Sequence, residues 1–142
     1  MSTLLLNIFK KQNEIIDELI DLSEKLREAL IKYDYKKINY ITKLQELKSI
    51  ELEKIEVKRI EIISNWLNIK ITEARKITYS KIKDLLKDSE IDSSLNNLIE
   101  SVNRLNTINS LNRVLANRAR FTINEILSFF SDGKNYVCNV RI

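Results

Sequence analysis

At 142 residues the chain has room for one domain, and it carries no histidine, no proline, one glycine and one cysteine. Those counts exclude much: no histidine for general base or metal ligand, no glycine-rich phosphate loop, no internal partner for Cys138. The net charge of +4 reads as a solvated surface rather than a nucleic-acid footprint, and no apolar run approaches the ~20 residues of a membrane span.

The first predicted helix covers about residues 3–33. Leu5, Ile8, Gln12, Ile15, Leu19, Leu22, Leu26, Ala29 and Tyr33 follow steps of three and four, a heptad seam with Gln12 as its one strongly polar member. Ile16, Ile20 and Leu30 widen the seam, as a helix facing two neighbours requires. Asp34 is placed to cap a second helix that runs to about Leu67. Its main stripe holds Ile38, Ile41, Leu44, Leu52, Ile55, Ile62, Ile63 and Trp66. Gln45, Lys48 and Arg59 share that face, while Leu47, Ile50 and Val57 fall on the other, so either face could be the buried one.

Asn68 to Ile71 reads as a corner, because asparagine tolerates the left-handed conformation that ends helices. Thr72 is then expected to cap one shorter helix with apolar Ile71, Ala74, Ile77, Ile82, Leu85 and Leu86. The polar segment Lys87 to Ser94 reads as an interhelical loop, with Asp92 or Ser93 capping the last helix. That helix covers about residues 94–131. Leu98, Val102, Leu105, Ile108, Leu111, Leu115, Ala119, Ile123, Ile126 and Phe130 recur on it at close to the 3.6-residue period. Gly133 supplies a stop, and Tyr136, Cys138, Val140 and Ile142 alternate in a tail too short to fold alone. The expected fold is all-α: an elongated antiparallel bundle of three long helices and one shorter, residues 1–131, with a flexible tail over residues 132–142.

The carboxylates are interleaved with lysines and arginines, the pattern of solvated helix faces, which leaves no catalytic set and no metal or cofactor site. The informative positions lie on the last helix. On a helical wheel Asn112 falls inside the apolar face and Asn109 at its edge, where a buried amide costs stability but fixes register and partner. Both can equally be satisfied inside an ordinary bundle. Val114 and Phe121 form a second apolar strip, with Leu111 and Phe129 between it and the main stripe, and Arg118 borders it. Scattered exposed apolar residues are normal, but a second strip on one helix is a plausible seat for a partner helix.

One order of features runs through nearly the whole chain. A heptad helix leads through Glu28-Ala29-Leu30 and Asp34 into a second helix ending at Trp66-Leu67-Asn68. A shorter helix comes next, then a last helix with Leu105, Asn109, Asn112 and Leu115, closed by Gly133 and Tyr136. In this the chain resembles the FlgN-type flagellar export chaperones. The resemblance implies a cytoplasmic protein that binds terminal helices of flagellar hook–filament junction proteins, prevents their premature assembly and delivers them to the type III export gate. It also implies a client surface of Leu111, Val114, Leu115, Arg118, Phe121 and Phe129, with Tyr136 as the residue that meets the gate component. The family's tail carries a glycine soon after its tyrosine, whereas Val137 and Cys138 stand there in this chain. The alternative is a structural coiled-coil adaptor with a permanent protein partner. Neither reading calls for nucleic acid or stable membrane insertion, and both are compatible with a homodimer.

Overall fold

A computed structural model describes residues 1–132, with side chains to residue 128; the tail residues Tyr136 and Cys138 and the stop at Gly133 lie outside the described residues. Five helices succeed one another: α1 (Ser2–Ile31), α2 (Tyr35–Leu67), α3 (Ile71–Ala74), α4 (Tyr79–Leu86) and α5 (Ser89–Asp132). The fold is all-α and elongated, with long helices α1, α2 and α5.

The helix boundaries arise from local chemistry. Tyr33 stands in the left-handed region at φ 54°, and the Asp34 and Tyr33 amides donate back to the Ala29 and Leu30 carbonyls, which closes α1 in a Schellman-type end. Tyr33 is therefore outside the helix and exposed, where the heptad spacing predicts a seam position. The Asp34 carboxylate then accepts from the Lys37 amide and caps α2, as expected. Asn68 ends α2 at φ 54°, again as expected, and the Ile69 amide donates to the Ser64 carbonyl.

Two local expectations fail. Thr72 caps nothing: the first residues after the corner make a single turn, α3, entered at Lys70, and Thr78 caps a separate helix, α4, through the Lys81 amide. A threonine is thus a cap only where the chain leaves an extended residue behind it, as it does at Thr78 with ψ 161°. The expected loop over residues 87–94 shrinks to Lys87 and Asp88. Lys87 takes the left-handed conformation at φ 48°, and the Asp88 carboxylate accepts from the Glu90 and Ile91 amides, so α5 starts five residues early. Glu90 and Asp92 then favour the positive end of that helix.

α1 is the central element. It packs along both α2 and α5, whereas α2 and α5 scarcely touch each other. Gln12 meets Glu56 and Ser23 meets Gln45, so α2 runs antiparallel to α1; Asp17 meets Ser101 and Ser23 meets Asn109, so α5 runs parallel to α1. The connection α3–α4 makes the return possible, and it fills the space between α2 and α5 at one end. There Leu5, Phe9, Ile63, Ala74, Ile82, Ile91 and Leu95 are fully buried. The Phe9 ring meets Tyr79 edge-on with centroids 6.1 Å apart. Each buried aliphatic side chain in this cluster contributes about 1.5–3 kcal/mol by leaving water.

The buried face of α2 is settled by the same packing. Ile41, Ile55, Arg59, Ile60 and Ile63 turn inward, whereas Tyr40, Leu47, Ile50 and Val57 are exposed. On α4 and its approach the expected apolar side is only partly used, since Ile71 and Leu85 are exposed.

Candidate helix-docking site

Beyond the end filled by α3 and α4 the bundle lacks a fourth side. Leu19, Ser23, Leu26 and Leu30 of α1 form the floor of an open trough of about 600 Å³. α2 supplies one wall through Ile38, Gln45 and Leu52, and α5 the other through Leu105, Asn109 and Ala116. A second section of about 300 Å³ shares Leu52 and runs on past Gln12 and Ile16 to Tyr79.

Two polar layers cross this trough. In the first, the Gln45 Nε2 donates to Ser23 Oγ at 3.0 Å, and that hydroxyl donates to Asn109 Oδ1 at 2.9 Å. The Asn112 Nδ2 donates to the Ser23 backbone carbonyl at 2.8 Å. One serine thus ties all three long helices together. Asn112 is only 5% exposed, yet its Oδ1 has no hydrogen-bond partner among the described residues. In the second layer the Gln12 Nε2 donates to Glu56 Oε2 at 2.8 Å, and Arg59 pairs with both Glu56 oxygens. The Arg59 guanidinium also lies 5.8 Å from the centre of the Tyr79 ring, which fastens α4 to α2. Gln12 Oε1 and Arg59 Nη1 are buried and unpaired among the described residues. Burial alone would push the Glu56 carboxyl up, but the hydrogen bonds and charge of Arg59, with Gln12, hold it below its ordinary 4.5. Burial raises the Tyr79 hydroxyl, against the opposing charge of Arg59.

The far part of α5 is different. From the pairing of Ser23 with Asn109 and Asn112, the end of α1 comes level with about residue 118, and α5 continues for roughly four more turns. Among residues 113–128 none is buried. Leu111, Val114, Phe121 and Ile126 are exposed, Phe121 at 64%. Leu115 is half-buried and Arg118 exposed. Of the positions picked from the sequence, the structure brings Asn109 and Asn112 together on Ser23 and leaves Leu111, Val114, Arg118 and Phe121 on open surface. The Phe129 side chain and Tyr136 lie outside the described residues. Sequence reasoning missed Ser23, Gln45 and the Glu56–Arg59 pair as partners of the seam amides. Gln12, a polar residue in a heptad seam, and Gln45 and Arg59 on the main stripe of α2 are the signals for them.

Among the described residues the bundle is elongated, with one side left open and one helix outrunning its neighbours. Among the described residues no three of His, Cys, Asp and Glu gather to hold a metal, and no helix is long and apolar enough to cross a membrane. The model of the family described as FlgN protein matches residues 1–138, so the chain belongs to the FlgN family. This is a family of flagellar export chaperones and not of enzymes, and its members bind flagellar proteins. No curated protein and no solved structure matches the chain significantly.

Proposed function

We propose that this chain binds the terminal helices of hook–filament junction proteins in the cytoplasm, keeps them from assembling early and hands them to the type III export gate. The supporting observation is the overhanging part of α5, a helix that shows Val114 and Phe121 to solvent among the described residues. Clients of this kind carry apolar helix faces that find partners only after export, and free faces of that sort aggregate. A helix with its own uncovered apolar strip can shield them, and Arg118 at the rim can steer an acidic flank into place. In this reading Leu111, Val114, Leu115, Arg118, Phe121 and Phe129 contact the client, and Tyr136 meets the gate. Co-expression with terminal segments of junction proteins tests it: a defined soluble complex is expected, lost in Val114→Asp and Phe121→Asp.

One observation favours the alternative of a permanent coiled-coil adaptor. Tyr40, Leu47, Ile50 and Val57 on the outer face of α2 keep heptad spacing and are exposed. Lys43 and Lys54 fall in the same row. An antiparallel second copy centred between Leu47 and Ile50 would set these lysines against each other, which disfavours a homodimer there. Hydrogen exchange decides the matter, with weak protection expected over the far part of α5 for the chaperone and uniform protection for the adaptor.

A further inference from the structure

The trough is the place where the bundle is incomplete, and what could complete it is constrained. At one end the position between α2 and α5, above α1, is already taken by helix: Ala74 and Ile82 are buried there against Phe9, Ile63 and Leu95. The same three helix faces continue past Tyr79 with that position open. On α1 the open floor runs from Gln12 to Leu30, a rise of about 27 Å, or roughly five turns of helix. The floor is apolar except at its two polar layers, and at the lower one Asn112 is buried with an acceptor oxygen that nothing described satisfies. Buried amides ordinarily complete their hydrogen bonds, so this oxygen marks where a donor belongs.

We propose that the trough seats a single amphipathic helix of the exported client, about 18 residues long, which completes the four-helix cross-section that α3 and α4 begin. It places a polar side chain with an N–H or O–H donor against Asn112 Oδ1. This rests on the export-chaperone reading, and it adds a second contact region, separate from the strip of Val114 and Phe121 on the outer side of α5. The apolar floor gives affinity. The polar layer gives register, because a helix shifted by one turn leaves Asn112 unpaired and buries its own polar residue against leucine.

The test uses the full chain co-expressed with terminal segments of hook–filament junction proteins. Ser49 and Ala116 line the trough from opposite walls and are exposed, so Ser49→Trp and Ala116→Trp fill it without entering the core. Each is expected to weaken the complex at least about tenfold with the thermal melt unchanged. Asn112→Leu, which removes the acceptor, should weaken it by about tenfold while the fold is kept. Should a tryptophan variant lose its fold, a benzophenone side chain at Ser49 or Ala116 replaces it and is expected to cross-link to the client helix. A complex that survives both tryptophan variants, or cross-links only from Val114 and Phe121, overturns the trough as a seat and leaves the chaperone reading intact. Unchanged affinity in Asn112→Leu overturns the donor pairing. If the wild-type chain binds no terminal segment at all, both readings fall together.

Discussion

The two halves of the bundle are built from the same three helices and differ in what lies between α2 and α5. Around Phe9, Ile63 and Leu95 the gap is closed by α3 and α4, and side chains are buried to the last per cent. Around Ser23 the gap is open, and serine, glutamine and asparagine join the leucines in the contact between helices. A closed core and an open polar layer on one set of helices separate two tasks. The first half secures the fold, and the second is left unfinished in a defined way. Its polar groups are too specifically paired for a loose end, and its floor of Leu19, Leu26 and Leu30 is too apolar for a solvated surface.

That contrast can be broken by mutation. The largest effect is expected at the closed end, where Phe9→Ala should cost about 3–5 kcal/mol in denaturant unfolding. At the open half Asn112→Leu should instead raise stability by about 1 kcal/mol. The variant removes an unpaired buried oxygen, and the Ser23 carbonyl it abandons still belongs to the α-helical ladder. A loss there of the size seen at Phe9 would mean that the polar layer is part of the scaffold after all. The second polar layer is expected to show itself only in acid. The Glu56 carboxyl lies below its ordinary value in the folded chain, so its contribution is present above 4.5 and fades as pH falls through the lowered folded value. Glu56→Gln should therefore flatten the acid limb of a stability-against-pH curve below about 4.5. The smallest change is expected on the overhang, where Val114→Asp and Phe121→Asp should stay within about 0.5 kcal/mol of the parent while client binding is lost.

Much of the architecture is legible in the sequence because α-helical periodicity and capping are local. The seam of α1, the caps at Asp34 and Asn68, and the exposed strip of Val114 and Phe121 are all set by spacing along one helix. So is the grouping of Gln45, Lys48 and Arg59 with the main stripe of α2, although only the packing shows that this face turns inward. What periodicity cannot show is which of two stripes meets which neighbour. Ser23, fully buried, reads as an ordinary polar residue beside Leu22, because its value lies in reaching Gln45 and Asn109 on two other helices. The start of α5 is misread for a related reason. A run rich in Asp and Ser reads as loop, yet those residues are also what the first turn of a helix prefers, and Asp88 caps it. The trough itself leaves no trace in any single stripe. It is a property of three helices that fail to close, and only their packing reveals it.

α5 is one uninterrupted helix, held by α1 along its first part and, among the described residues, with no buried side chain beyond Asn112. That makes it a lever with its fulcrum near Asn112. From Asn112 to Asp132 the arm is about 30 Å, so a tilt of about 10° at the fulcrum carries the far tip about 5 Å sideways. A body wedged between α2 and α5 acts close to the fulcrum. Asp132, a long way from the wedge, moves most.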